Sequence, residues 1–127
     1  ISGTDYTEVY MNNEIYYHIY VRTYADSDGN NIGDLQGIID NLDYIASLGV
    51  GGIWLMPIME SRSTHGYEVD DYYSVDSEYG TLQDFKDLVS AAKLVGIDVI
   101  IDLVVNHIGA SSEIFKDVLK NGVYSQY

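Results

Sequence analysis

"IDVIIDLVV", residues 97–105, is a nearly continuous apolar run, and its reading decides the fold. Apolar residues follow one another here instead of alternating, as in a parallel strand covered on both faces. "GGIWLMPI", residues 51–58, reads the same way and ends near Pro57. "EIYYHIYVRTY", residues 14–24, is rich in β-branched and aromatic side chains and reads as a third strand. Helices fall between them. Ile38, Leu42, Ile45 and Leu48 recur at helical spacing over residues 35–48, and Gly49 stops that helix. Thr81 and Asp84 form a capping box. The helix they start is expected to bury Leu82, Phe85, Leu88, Val89 and Ala92 and to end at Gly96. "LGV" and "VGI" each end a helix and begin a strand. A short helix follows from Ser112 to Lys120, closed by Asn121-Gly122. The order β-α-β-α-β implies a parallel sheet with right-handed crossovers, an α/β fold. Residues 60–80 read as a long loop without regular structure, placed after the C-terminal end of a strand. Such loops are usually functional, and parallel α/β folds put their sites there.

Composition narrows the function. The 127 residues suffice for one domain with a core, and 46% of them are hydrophobic. Twenty Asp and Glu face six Lys and Arg, a net charge of −14. Such a surface repels phosphate backbones, which excludes nucleic acid and favours cations and uncharged partners. No apolar stretch approaches the ~20 residues that span a bilayer, so no membrane is expected as a partner. The opening "ISGTDYTEVY" is acidic and polar, unlike a signal peptide. The absence of cysteine excludes disulfides and thiol chemistry. Thirteen tyrosines supply aromatic faces suited to sugars or to apolar surfaces.

Three stretches carry chemistry. In "DSDGNNIGD", residues 26–34, the side chains of Asp26, Asp28 and Asn30, the Ile32 carbonyl and the Asp34 carboxylate fall at alternating positions. Alternating oxygens of this kind hold calcium. The match to an EF-hand is incomplete, because Asn31 stands where Gly belongs and Gly37 where the bidentate Glu belongs. Asn tolerates the left-handed conformation that the position requires. A turn of local Asx hydrogen bonds reads equally well. In "DLVVNH", residues 102–107, Asp102, Asn106 and His107 lie at the end of the third strand, where polar residues serve a site. In "THGYEVDDYYSVDSEYGT", residues 64–81, tyrosines and carboxylates share one segment. His65-Gly66-Tyr67 stands out because glycine permits a close backbone approach. His18 and Trp54 read as core residues. Nothing points to a Ser or Cys nucleophile or to a phosphate-binding glycine loop.

Together these motifs resemble the α-amylase family, glycoside hydrolase family 13. "IYVRTYADSDGNNIGDLQGI", "GGIWLMPIMES", "HGYEVDDYYSVDSEYGTLQDFKDLV" and "IDVIIDLVVNH" occur in that family's order, and "DLVVNH" matches its first conserved region. The resemblance implies a (β/α)₈ barrel, with residues 1–107 as the N-terminal part of catalytic domain A and residues 108–127 as the start of the inserted domain B. It implies a structural Ca²⁺ or Mg²⁺ on Asp26, Asp28, Asn30, Ile32 and Asp34, and Asn106 as a ligand of a second calcium. Tyr67 would stack under the sugar at the cleavage point, His107 would hydrogen-bond that sugar, and His65 would stand beside them. Asp102 would support the site. Thr64, where exo-acting relatives carry Asp, favours internal cleavage. The implied partner is an α-glucan such as starch or maltodextrin, cleaved with retention, and an extracellular location is the expectation. The family's two reacting carboxylates follow its fourth and fifth strands. By itself this chain is therefore expected to be inactive, and to self-associate or pair with the rest of the barrel through its open strand edges. The alternative is a non-catalytic carbohydrate-binding or interaction protein on the same scaffold.

Overall fold

The computed structural model describes residues 15–127. Glu14 and the opening decapeptide lie outside them. Strands β1 (Tyr16–Ile19), β2 (Gly52–Leu55) and β5 (Asp98–Ile101) form a parallel sheet in the order β1-β2-β5. The expected β-α-β-α-β order is present. Between β1 and β2 run α1 (Val21–Tyr24), α2 (Leu35–Asp40) and α3 (Leu42–Ser47). Between β2 and β5 run a hairpin, β3 (Met59–Ser61) and β4 (Val69–Val75), and the helix α4 (Leu82–Leu94). Helix α5 (Glu113–Asn121) follows, capped by Ser112 and stopped at Gly122 as its sequence implies.

One face of the sheet carries the core. Ile19 and Leu55 stand in one cross-strand row with Ile101, and Tyr17 and Ile53 in another with Val99. Onto them pack Leu35 and Ile38 from α2, Leu42 and Ile45 from α3, and Leu88 and Ala92 from α4. Each large aliphatic side chain so buried is worth roughly 1.5–3 kcal/mol. Among the described residues the other face is open. His18, Trp54 and Ile100 form its cross-strand row, with Trp54 and Ile100 each 40% exposed and His18 exposed. Two expectations fall here. The 97–105 run is covered by the core on one face only among the described residues, and its strand stops at Ile101. Among the described residues His18 and Trp54 lie outside the core cluster. The strand period of two sends them away from the helices.

Other boundaries move for local reasons. The strand expected over 14–24 ends at Ile19, and Val21–Tyr24 coil into one helical turn. The later chain folds back onto this turn: Gly33 N–H donates to the Arg22 carbonyl at 2.8 Å and Asp34 N–H to the Ala25 carbonyl at 2.9 Å. The 26–34 loop thus follows this helical turn. The helix expected over 35–48 is broken at Asn41, whose side-chain amide donates to the Gly37 carbonyl at 2.7 Å. Asn competes for backbone groups in this way. Residues 60–80 are not an unstructured loop, because β3 and β4 pair antiparallel within them. Asp70, Asp71 and Ser74 mask that strand in the sequence, since such residues are poor strand formers. Both arms of the Thr81–Asp84 capping box form. Leu82 and Val89, 51% and 39% exposed, are not buried by α4, because they flank the stripe of Phe85, Leu88 and Ala92.

Candidate functional site

The last ladder bond of the sheet runs from Asp102 N–H to the Leu55 carbonyl, at 2.9 Å. It fixes Asp102 at the C-terminal end of β5. The Asp102 carboxylate then accepts two hydrogen bonds. One comes from the Tyr67 hydroxyl at 2.5 Å, the other from the Trp54 indole Nε1 at 3.0 Å. The bond to the carboxylate, more than burial, raises the Tyr67 pKa above that of an ordinary phenol, so the ring stays protonated. Tyr67 remains 36% exposed. Its ring is anchored at the hydroxyl and open to solvent.

The Tyr67 backbone is held by two histidines. Its N–H donates to His65 Nδ1 at 3.1 Å, and its carbonyl lies 2.8 Å from His107 Nε2. A carbonyl only accepts, so His107 carries a hydrogen on Nε2. His65 Nδ1 accepts, so that ring in its neutral form carries its hydrogen on Nε2 as well. The His65 and Tyr67 rings lie 5.9 Å apart, tilted by 33°. Gly66 between them has φ +78°, and a Cβ there would stand 2.6 Å from the Pro57 carbonyl oxygen. This is the close approach for which the sequence singles out that glycine. The Tyr20 hydroxyl donates to the Thr64 carbonyl and ties the segment to the end of β1.

Tyr67, His65, His107 and Asp102 therefore meet in one place. Two partners are absent from the sequence reading. Trp54 holds Asp102, and the His18 ring lies 4.8 Å from the Trp54 ring. The signal for both was the strand period, which points alternate residues of β1 and β2 to the open face. The Tyr72 hydroxyl, on β4, meets the carbonyls of Val104 and His107. Asn106 lies exposed beside His107. Chemically the site offers an open aromatic face and imidazole edges. Both oxygens of Asp102 accept hydrogen bonds already, which suits it to holding partners in place.

The 26–34 loop forms a separate centre. One carboxylate oxygen each from Asp26, Asp28 and Asp34 lies within 4.8 Å of the others. None of the three forms an ion pair among the described residues. Backbone N–H groups hold the charge in place. Asn31 donates to Asp26 at 2.7 Å and Gly29 at 2.7 Å, and the Asn31 bond leads in lowering the Asp26 pKa. Asn31 adopts φ +69°, the left-handed conformation allowed for it by its side chain. Asp34 also caps α2, accepting from Gly37 N–H at 2.6 Å, while its second oxygen accepts from Ser27. The Asn30 side chain turns inward, with its oxygen accepting from Ile32 N–H at 2.7 Å and its nitrogen donating to Asp28 at 3.0 Å. Ile32 is half-buried against the core. Local Asx hydrogen bonds run along the loop, from Asp28 N–H to Asp26, from Asn30 N–H to Asp28 and from Ile32 N–H to Asn30. Carboxylate oxygens keep lone pairs beyond these bonds, so the donor set also fits a hard cation.

Similarity to known proteins agrees with this geometry. The family model described as alpha amylase, catalytic domain, matches residues 18–127. Alpha-amylase 3 of Dictyoglomus thermophilum is 50% identical over 102 residues, which are 80% of this chain and 20% of that protein. Maltase A1 of Drosophila melanogaster is 43% identical over 114 residues, 88% of this chain and 20% of its own length. The crystal structure of alpha-amylase from H. orenii superposes with a TM-score of 0.81 at 53% identity, covering 86% of this chain and 24% of that one. That of Bacillus licheniformis trehalose-6-phosphate hydrolase gives a TM-score of 0.86 at 42% identity, covering 93% and 21%. The chain thus spans about a fifth of the length of the curated relatives it matches. Its three parallel strands and their helices are part of a (β/α)₈ barrel of the kind those enzymes share. With the site at the strand ends and the match over residues 18–127, the chain belongs to the alpha-amylase family of glycoside hydrolases.

Proposed function

We propose that this chain supplies part of the sugar-binding surface of an enzyme that hydrolyses α-glucosidic bonds in starch or maltodextrin by a retaining mechanism. The observation that carries the reading is the pinned but open Tyr67 ring, held at its hydroxyl by Asp102 and at its backbone by His65 and His107. A fixed aromatic face is what a sugar's C–H surface stacks upon, and it loses little entropy when the sugar arrives. His107 and His65 stand at its flanks to hydrogen-bond hydroxyls. Relatives named as an α-amylase, a maltase and a trehalose-6-phosphate hydrolase favour α-glucosides as the substrate class.

The 127 residues alone bind sugar without cleaving it. Retention needs two carboxyl groups about 5–5.5 Å apart across the scissile bond, one as nucleophile and one as acid/base. Asp102 has both oxygens engaged by Trp54 and Tyr67 and is placed to position those side chains. The loop 26–34 holds a Ca²⁺ or Mg²⁺ ion through Asp26, Asp28 and Asp34, with Asn30 and Ile32 beside it. That ion, when bound, supplies charge neutralisation to the loop and takes no part in bond cleavage. Asn106 would serve a second ion together with ligands from elsewhere.

The test is a titration of the chain with maltotetraose and, in parallel, with the β-linked cellotetraose. Saturable binding of the first and none of the second, with no release of reducing sugar, is the expected result. Release of reducing sugar would place reacting groups on this chain. Equal binding of both sugars would remove the α-glucan specificity.

A further inference from the structure

Beyond β5 the chain leaves the sheet, and residues 102–107 form no strand. Val105 is 82% exposed, Asn106 and His107 are exposed, and only Val104 reaches the core, at 7%. Apolar burial therefore does little to fix where His107 sits. Strand β4 does it instead. The Tyr72 hydroxyl lies 2.5 Å from the Val104 carbonyl and 3.0 Å from the His107 carbonyl. A phenol has one hydrogen to give, so this one is shared between two acceptors three residues apart. It closes residues 104–107 into a turn against β4.

Two further ties continue the same seam. Gly109 N–H donates to the Val69 carbonyl at 2.7 Å, and the Ser111 hydroxyl donates to Asp70 at 2.5 Å. Gly109 approaches so closely that a Cβ would stand 2.6 Å from the Asp70 carboxylate and 2.9 Å from two backbone carbonyls. The Gly109 and Ser111 ties hold the chain beyond His107. The Tyr72 hydroxyl is the tie nearest the imidazole.

We propose that Tyr72 is a positioning residue: by gripping the Val104 and His107 carbonyls it sets the distance at which His107 Nε2 meets the Tyr67 carbonyl, and so presents the imidazole to the sugar. The sugar role rests on the reading given under Proposed function; the grip itself does not. Tyr72 touches no sugar in this scheme. It acts through His107, which in turn holds Tyr67.

The test uses the whole 127-residue chain carrying ¹⁵N-histidine. In the wild type, long-range ¹⁵N–¹H spectra should show neutral His107 as the Nε2–H form. In Tyr72→Phe, His107 should move to a mixture of both neutral forms while His65 keeps its pattern. Affinity for maltotetraose should fall about three- to tenfold, the effect of one hydrogen bond. Tyr73→Phe, at a neighbouring ring that is 91% exposed, should change neither. An unchanged His107 pattern in Tyr72→Phe overturns the proposal. A changed pattern in a chain whose wild type binds no sugar supports the grip and removes only the sugar-binding reading. Should Tyr72→Phe not fold, the wild type decides: a slowly exchanging Tyr72 hydroxyl proton close to both Val104 and His107 supports the grip, and its absence overturns it.

Discussion

The Tyr67 hydroxyl and the Asp102 carboxylate, 35 residues apart in the chain, meet at 2.5 Å. The hydrogen bond favours the protonated phenol, which raises the Tyr67 pKa. Asp102→Asn removes the charge and keeps the shape. In that variant Tyr67 should titrate at lower pH than in the wild type, followed by the ring signals of Tyr67 in alkaline solution. Titration at the wild-type pH would mean that the bond does not form in solution.

Trp54 is the only tryptophan, and its indole N–H donates to the same carboxylate. Asp102→Ala should release the ring into water and shift its fluorescence emission to longer wavelength. The cost in stability should be about 1 kcal/mol, since water can replace the lost acceptor at a ring 40% exposed. An emission spectrum identical to wild type would separate Trp54 from the site.

Gly66 and Gly49 make a matched pair of left-handed glycines, at φ +78° and +74°. Gly49 has open space where a Cβ would go, whereas at Gly66 the Pro57 carbonyl oxygen would stand 2.6 Å away. Gly49→Ala should cost about 1 kcal/mol of backbone strain alone. Gly66→Ala should cost at least ~2 kcal/mol, because strain and a backbone clash add. Urea midpoints of the two variants give the comparison, and equal shifts would contradict the close packing of the 65–67 turn on Pro57.

Asp84 carries a pH signature. Hydrogen bonds from Thr81, side chain first and then backbone, lower its pKa below that of a free aspartate. A carboxylate with a depressed folded pKa stabilises fully above its unfolded value and loses that contribution as pH falls through the folded one. Wild type should exceed Asp84→Asn by roughly 0.3–1 kcal/mol at neutral pH, the contribution of a solvent-screened carboxylate in a helix's first turn. The gap should narrow only below about pH 4, the unfolded value. A gap that is constant down to strongly acidic pH would show that the capping box does not depend on the charge.

The ion reading predicts a linkage. Calcium added to chelator-treated protein should raise the unfolding temperature in a concentration-dependent way. Asp28→Ala should lose most of that rise, since it removes one of three converging carboxylates. A rise of the same size in the variant would place calcium elsewhere.

Much of this was legible in the chain because short-range rules governed it. Thr81 with Asp84, Ser112, Gly96 and Gly122 mark helix ends through local hydrogen bonds and backbone geometry, and all four do so in the structure. Tyr67, His107 and Asp102 stand out by their motifs and take their roles from the resemblance, and the geometry brings them together. What escaped depended on partners far along the chain. The strand period puts His18 and Trp54 on one face together, but nothing local tells which face the helices cover, so both read as core. The β3–β4 hairpin has no tight-turn signal, since seven residues, 62–68, join its strands. Tyr72 could not be distinguished from Tyr73 without knowing that Val104 and His107 lie beside one of them.

The most direct test of the sugar-binding surface is a calorimetric titration of maltotetraose into wild type and Tyr67→Ala, with Tyr73→Ala as the control. Weak but saturable binding in the wild type and control, lost in Tyr67→Ala, is the predicted result. Binding that survives the loss of the Tyr67 ring, or no binding in the wild type, would contradict the assignment of the Tyr67–Asp102–His107 cluster as a sugar site on this chain.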